Sequence, residues 1–471
     1  MLDRGLLPDF KPETLRELDR INLPATDAKS KPRDLRDLLW CSIDHSDTHS
    51  IDQLTCAEAL PNNEVKIYVA ISDVDALVKL GSAIDMHARH NTCSIYTSVE
   101  MYPMLHRKLS SDFTSLSQAK DRLAMVVEMI FDSRGYLKSS QVYTALVKNR
   151  AKLNYNSISA WLEGKEPLPE VAARVMGLDA NLRLQDGIAA KLSSLRHERG
   201  ALDYEIPLAH PVFEDDKVKE LASVPTNRAR DIVTDFMIAA NQAVAFFLIE
   251  HNYPSFRRVV KTPARWDRIN ALAALRGWKL PQEPSSESLN KFLQNQKTTH
   301  PNAFASLSYA ISKLLGAGEY SIELPNVSYS GNFCLAMKDY THSTAPNRRF
   351  PDLITQRLLK ASLSGNPSPY GIPELEALAG HCTKMEDAVK KVERQVAKSV
   401  AAMHLHTRIG EHFEAIVTGA SQKGTWVQIR HPHVEGKLMD AGTDLDVGER
   451  VTVKLISTNV DKGFIDFQLI A

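Results

Sequence analysis

The sequence predicts a mixed α/β domain that fills most of the chain, followed by a small all-β barrel. Three observations carry this prediction. The first 150 or so residues hold nearly continuous apolar runs rich in β-branched residues, such as EVKIYVAISDV from Glu64 to Val74 and RLAMVVEMIFD from Arg122 to Asp132, as buried strands do. The middle of the chain carries long helical patterns. After Glu411 the texture changes to short alternating segments with Gly turns, HFEAIVTG, GTWVQIR, RVTVKLIST and GFIDFQLI; four or five strands in about 60 residues is the scale of a small barrel.

At 471 residues the chain exceeds one ordinary core, since domains average roughly 150 residues. We divide it into an arm and linker over 1–36, an α/β domain over 37–372, a helical connector over 373–410 and the barrel over 411–471. The arm holds a helical piece around Pro12 to Asn22 and a polar linker, PATDAKSKPRD, too short for a domain. Strands are expected at LLWCSID, at Glu64 to Val74, at Arg122 to Asp132 and, past the turn SRG, at YLKSSQVYTALV. Helices follow at SISAWLEG and along VAARVMGLDANLRLQDGIAAKLSSLRHERG, which ends in Arg-Gly as helices often do. Arg228 to His251 is apolar on most faces, which implies burial. A basic segment, FRRVVKTPARWDR, precedes amphipathic helices up to about Leu315. A last long helix runs from Pro373 to Arg408, with Met385, Ala388, Val389, Val392, Val396, Val400 and Met403 at helical spacing, a stripe that is usually core.

Apolar residues make up 43% and charged residues 24% of the chain, and Lys plus Arg balance Asp plus Glu at 57 each. This is folded-protein composition without a global field for nucleic acid, so any such binding rests on local patches. Five scattered cysteines, never in a CxxC pair, argue against a disulfide framework or a zinc ribbon and for a reducing cytoplasm. The N-terminus lacks the apolar core of a signal peptide, and no window approaches the ~20 apolar residues of a membrane span, so a soluble protein is expected.

The stretch SIDHSDTHSIDQL, Ser42 to Leu54, gathers three aspartates and two histidines. Carboxylates arriving from a loop between strands suit magnesium, which takes oxygen ligands and keeps waters for a phosphate substrate; a polar turn is the plainer alternative.

Several separated segments resemble the RNase II type (RNB) exoribonucleases. RDLRDLLWCSIDHSDTHSIDQL is similar to that family's catalytic loop, VAISDVDALV to the strand after it, TCSIYTSVEMYPMLHRKLSSDFTSL to its next long motif and YTHSTAPNRRFPDLITQRLL to its arginine-bearing motif. FEAIVTGASQKGTWVQI with VEGKL resembles the OB-fold RNA-binding barrel with which these enzymes end. The two cold-shock barrels that usually precede the catalytic domain have no counterpart in the residues before it.

The resemblance implies an RNB-type catalytic domain, of α/β (α+β) class, with an OB-fold barrel. It implies hydrolysis of single-stranded RNA from the 3′ end to nucleoside 5′-monophosphates by a cytoplasmic monomer, with Mg²⁺ or Mn²⁺. Asp44 and Asp52 match two of the family's four metal-ligand aspartates, while Ser50 and Gln53 stand where the other two are expected. Losing two carboxylates weakens the hold on a hard cation, so a catalytically inactive RNA-binding protein on the same fold is the alternative. Asp47, His45 and His49 are candidates to compensate. Tyr96 and Tyr204 match the aromatic clamps on terminal bases, though each could be a core tyrosine; Arg348 and Arg349 match the arginines on the scissile phosphate. Asp235 matches an acidic position near the terminal ribose, with Thr234 in place of a second acid, and Ala70 replaces a histidine. In the barrel Trp426 is retained as a stacking aromatic and Lys423 replaces another. From Thr341 to Gly410 ten Lys or Arg outnumber six Asp or Glu, consistent with a basic RNA-facing surface or a solvated helix face.

Overall fold

The computed structural model describes residues 1–471 apart from 26–30, 205–208, 215–216, 224–226, 326, 328–330, 422–423, 440–444, 446 and 471, and at 209–214, 217–223, 302 and 421 it describes the backbone alone. In chain order come α1 (Pro12–Arg20), β1 (Arg33–Asp34), β2 (Cys41–Asp44), β3 (Gln53–Ala59), β4 (Val65–Ser72), α2 (Ala83–Asn91), β5 (Ile95–Tyr96), β6 (Met101–Tyr102), β7 (Asp121–Phe131), β8 (Leu137–Lys148) and β9 (Ala151–Asn154). Then follow α3 (Tyr155–Leu162), α4 (Glu170–Ala173), α5 (Leu178–Glu198), β10 (Ala209–Glu214), β11 (Lys217–Ser223), α6 (Arg228–Glu250), β12 (Ser255–Val259), α7 (Trp266–Ala274), α8 (Ser286–Thr299), α9 (Pro301–Leu315) and β13 (Glu319–Glu323). The chain ends with α10 (Phe350–Leu363), α11 (Ile372–Leu405) and strands β14 (His412–Ser421), β15 (Gly424–Ile429), β16 (Val434–Leu438), β17 (Arg450–Asn459) and β18 (Phe464–Ile470).

Among the described residues the main sheet has seven strands in the order β1-β8-β7-β4-β3-β2-β9. Its centre is antiparallel, while β1 runs parallel to β8 and β9 parallel to β2. One face packs Ile43, Ile67, Val69, Met125 and Val127 against Leu182, Ile188, Phe236, Ala240 and Leu353 of the helices. The other covers Leu54, Tyr68, Ala70, Val126 and Tyr143 with Trp40. Strand β4 is therefore buried on both faces, which is why its sequence reads as a continuous apolar run. Ala70, wholly buried in this layer, leaves no room for a polar ring.

Helix α6 differs from the expectation that nothing in the chain is long and apolar enough to cross a bilayer, because its 23 residues meet that measure. Ile232, Phe236, Ala240, Val244 and Leu248 are nonetheless buried in the protein, so it is the core helix of the sheet. The single helix expected through VAARVMGLDANLRLQDGIAAK is broken at Gly177, which takes φ 80° between α4 and α5, a conformation that favours glycine.

Helix α10 is locked to the end of β4 by charge. Arg357 reaches Asp75 at 3.0 Å, Asp85 at 2.8 Å, the Tyr370 hydroxyl at 2.8 Å and the Val78 carbonyl at 2.9 Å. Lys360 pairs with Asp73 and Asp75, and Gln356 donates to the Ser72 carbonyl at 2.9 Å. These cations serve the fold, so the positive excess after Thr341 is smaller at the surface than the sequence count suggests.

The last five strands close into a barrel, β14-β15-β16-β18-β17, filled by Phe413, Val417, Val427, Ile429, Leu438, Val453, Leu455 and Phe467. Gly436 is required there, since a Cβ would meet the Ile465 carbonyl and the Phe467 ring at 2.5 Å. Glu435 ties the barrel to the body by accepting from Lys313 of α9, with Lys398 of α11 at 3.9 Å and the Thr418 hydroxyl at 2.6 Å.

The N-terminal arm lies against α2, with the Phe10 ring tilted over His87 at 4.3 Å and edge-on to His106 at 5.4 Å. Burial, with smaller contributions from His90 and Lys11, pushes the His87 imidazole down to about 4. The unfolded chain takes up its proton near ~6.5, so the stability from neutral His87 is complete above that pH and is lost as pH falls toward 4. We predict a loss of at most about 3 kcal/mol across that window in urea denaturation, absent in His87→Leu; an unchanged pH profile in that variant would contradict the assignment.

Candidate functional site

Strands β2 and β3 are antiparallel neighbours joined at Cys41 and Thr55, so the chain leaves β2 at Asp44 and returns just before β3 at Asp52. The loop between them is pinned by Lys152 Nζ on the Thr48 carbonyl at 2.5 Å, by Ile51 N–H on the Ser115 hydroxyl at 3.0 Å and by Leu116 N–H on the Ile51 carbonyl at 2.9 Å. Local pairing thus brings Asp44 and Asp52 together.

Asp44 is buried; its Oδ1 accepts from the Gln53 amide at 3.2 Å, and its Oδ2 is buried with no hydrogen-bond partner. Burial first, then the neighbouring Asp52 charge, push its carboxyl up to about 7. Asp52 is 3% exposed. It accepts from Asn347 N–H and from Arg348 Nε, each at 3.2 Å, and burial still raises it above the usual carboxylate range. Asn347 is itself fixed, donating to the Ser72 hydroxyl at 2.9 Å and accepting from the Thr114 hydroxyl at 2.5 Å.

The walls are aromatic and cationic. Tyr155, the first residue of α3, meets His45 edge-on at 5.2 Å, and burial followed by the Asp44 charge pushes its phenol up to about 12. Tyr96 is half exposed, within electrostatic reach of Arg348 and Asp52. The segment carrying it is stitched to the arginine loop, since Ser94 N–H donates to the Arg348 carbonyl at 3.0 Å and Phe350 N–H to the Thr92 carbonyl at 2.7 Å. Beyond Arg348, His342 sits 3.0 Å from the Tyr320 hydroxyl, and burial, then Arg349 and Arg258, hold its imidazole far below its usual range and neutral.

The structure separates other residues singled out by sequence. Arg349 turns away from Asp52 to Asp352, at 2.7 Å, and to the Thr344 hydroxyl. Ser50 donates to the Ser110 carbonyl at 2.5 Å. Asp47, His45 and His49 are exposed, and no group of three or more acids, histidines or cysteines suited to a metal occurs among the described residues. Tyr204 packs on the α7–α9 cluster beside Cys334. Asp235 is paired with Arg196 at 2.5 Å and lines a cavity of about 780 Å³ between α5, α6 and α8, beside exposed Thr234. Trp426 is partly buried on the barrel wall opposite Lys437, and Lys423 lies outside the described residues.

Sequence reasoning missed Asn347, Tyr155, Lys152 and His342. Asn347 sits beside the two arginines in APNRRF and is the one with a visible signal. The others are brought in by tertiary pairing.

The donors fit one divalent cation and not two. The buried, unpartnered Asp44 Oδ2 and the adjacent Asp52 offer anionic oxygens, and the Gln53 amide, once turned over, offers a neutral one; oxygen and nitrogen of a side-chain amide exchange by a simple flip. Among the described residues no group of three or more acids, histidines or cysteines marks a second position, and Ser50 is engaged with the Ser110 carbonyl.

Residues 32–365 match the family model described as "RNB domain", and residues 411–470 match "RNase II-type exonuclease C-terminal S1 domain". The chain is 30% identical over 496 residues to "Ribonuclease R" of Aquifex aeolicus, covering 98% of this chain and 69% of that one. The structure of Mycoplasma genitalium RNase R in complex with ribose methylated single-stranded RNA superposes with a TM-score of 0.87 at 22% identity, over 100% of this chain and 77% of that one. Yeast Ssd1, described as a pseudonuclease, shares the fold at a TM-score of 0.71 and 16% identity, over 92% of this chain and 54% of that one.

Removing the cation that faces a buried carboxylate leaves that charge uncompensated, and solvent screens part of the loss because Arg348 itself is half exposed. We predict that Arg348→Gln destabilises the protein by about 1 kcal/mol in urea denaturation at neutral pH, and that adding Asp52→Asn recovers most of the loss; additive losses would show that the two side chains are not coupled.

Proposed function

Because the chain belongs to the RNB-domain family and carries that family's RNase II-type C-terminal S1 domain, we propose that it is a hydrolytic 3′-to-5′ exoribonuclease. It acts on single-stranded RNA as a cytoplasmic monomer, at a rate reduced by its depleted acid set. The observation that carries this is the buried meeting of Asp44 and Asp52, one with an unpartnered oxygen and the other under Arg348. A Mg²⁺ or Mn²⁺ ion held by Asp44, Asp52 and the Gln53 carbonyl would polarise a phosphoryl oxygen and lower the pKa of water.

The chain's own residues supply the remaining work. Arg348 is 45% exposed at its side chain and spends Nε on Asp52, which leaves the rest of its fork for phosphoryl oxygens as charge develops. Tyr96 offers a flat face for a base without reading its identity, and Tyr155 closes the other side of Asp44. Ribose contact by Asp235 and a second base contact by Tyr204 belong to this proposal only as outer positions, because neither touches the aspartates. Trp426, with Lys437 across the strand and Lys423 in the adjoining segment, is the barrel's stacking site.

A second function is favoured by a specific observation: protein groups alone satisfy much of the acid pair, Gln53 part of Asp44 and Arg348 with Asn347 Asp52. Such a site holds RNA and leaves it uncut, and a pseudonuclease exists on this fold.

A 5′-labelled single-stranded RNA with Mg²⁺ or Mn²⁺ separates the two. We expect slow 3′ shortening with release of nucleoside 5′-monophosphates, abolished by chelator and by Asp52→Asn. Retention of RNA without shortening in either metal would establish the binding function instead. Restoring carboxylates with the double substitution Ser50→Asp, Gln53→Asp should raise the rate by about 10-fold or more, the reverse of the ~10- to 100-fold cost of weakened metal ligation; no gain would contradict the assignment of these positions.

A further inference from the structure

We propose that the N-terminal arm, Met1 to Phe10, is a positioning element for the RNA-base contact at Tyr96, and that it acts through the hairpin of β5 and β6. This rests on Tyr96 being a base contact, as proposed above. The arm lies outside the segment that matches the RNB-domain model, which begins at residue 32.

Leu6 is wholly buried in a small cluster with Ile95, Met385, Val389 and Val392, flanked by Cys93 and Tyr102. Ile95 and Tyr96 are consecutive on β5, so their side chains project to opposite faces. Ile95 points down onto Leu6 and α11, at 1% exposure, while Tyr96 stands 52% exposed over the site. The hairpin pairs over two residues a strand, Ile95 with Tyr102 and Tyr96 with Met101, and is closed at its tip by Thr97 with Glu100 and at its base by Met104 N–H on the Ser94 hydroxyl; so short a two-stranded unit still needs a surface to pack on. Leu6 fills the space beneath it.

The arm is placed with unusual care for so short a segment. Gly5, at φ 74°, turns the chain so that Leu6 faces inward. Asn91 of α2 brackets the next residue with its side-chain amide, accepting from Leu7 N–H at 2.9 Å and donating to the Leu7 carbonyl at 2.8 Å. His90 meets the Gly5 carbonyl at 2.7 Å, and Phe10 lies against His87 and His106.

From the hairpin the linkage runs into the site. Tyr96 N–H donates to Glu393 of α11 at 2.9 Å, and Ser94 N–H to the Arg348 carbonyl at 3.0 Å. Loss of Leu6 therefore releases the hairpin on the side opposite the RNA and lets Tyr96 leave its place above Arg348.

The test is a double-mutant cycle on RNA affinity, read by anisotropy of a 5′-fluorescein-labelled single-stranded oligoribonucleotide in chelator, so that nothing is cut. Tyr96→Ala should weaken binding roughly 10-fold, the scale of one stacked base. Leu6→Glu should weaken it to a similar degree, the double variant should bind no worse than Tyr96→Ala, and Leu6→Met should restore wild-type affinity. Multiplying effects in the double variant, or wild-type affinity in Leu6→Glu, would overturn the proposal. If Leu6→Glu loses its cooperative melting transition, Leu6→Ala carries the same cycle without a buried charge. A wild-type chain that does not bind RNA, or a Tyr96→Ala variant that binds as wild type does, would overturn the base-contact assignment and this proposal with it.

Discussion

The ion pair between Asp52 and Arg348 is the interaction on which the site depends. A carboxylate with 3% exposure keeps its charge only if a cation and donors face it, and Arg348 with Asn347 provide both. The pair also joins the two parts of the chain that make the site, the return loop into β3 and the turn before α10. Because the Arg348 carbonyl accepts from Ser94, the segment leading to Tyr96 is drawn into the same unit. The residues proposed above as metal ligand, phosphate contact and base contact thus share one hydrogen-bonded junction.

That junction shows how the fold accommodates Ser50 and Gln53 where the resemblance leads one to expect acids. Four carboxylates at one buried point would repel strongly, and their mutual repulsion is what a divalent cation relieves. With Ser50 bonded to Ser110 and Gln53 donating to Asp44, the remaining negative charge is small enough for protein groups to balance. The cost falls on the hold for a cation, since a neutral amide oxygen is a weaker ligand than a carboxylate. Behind Arg348 the neutral His342 and the paired Arg349–Asp352 and Arg258–Glu386 add little net charge, so Arg348 is the cation this part of the site turns outward.

Much of this was legible in the sequence where the signal is local. The unbroken run from Glu64 to Val74 became β4 because both of its faces are covered, and SIDHSDTHSIDQL brought Asp44 to Asp52 because β2 and β3 pair directly. The stripe from Met385 to Val400 became the core-facing side of α11, whose middle shelters Leu6. Residues whose roles are set at long range were not legible. Arg348 and Arg349 read as one motif, yet adjacent backbone positions send them to Asp52 and to Asp352. Leu6 sits among Leu2, Leu7 and Phe10 in a ten-residue arm with no helical or strand periodicity to announce which of them is buried. Ser50 read as a degraded ligand, and only the fold shows that its hydroxyl has another partner.

The central claim is that the depleted site holds one divalent cation. The most direct measurement is electron paramagnetic resonance of Mn²⁺ titrated into the chain with bound single-stranded RNA, counting tightly held ions. The account predicts one Mn²⁺ per chain, lost in Asp44→Asn; two such ions, or none, would contradict it.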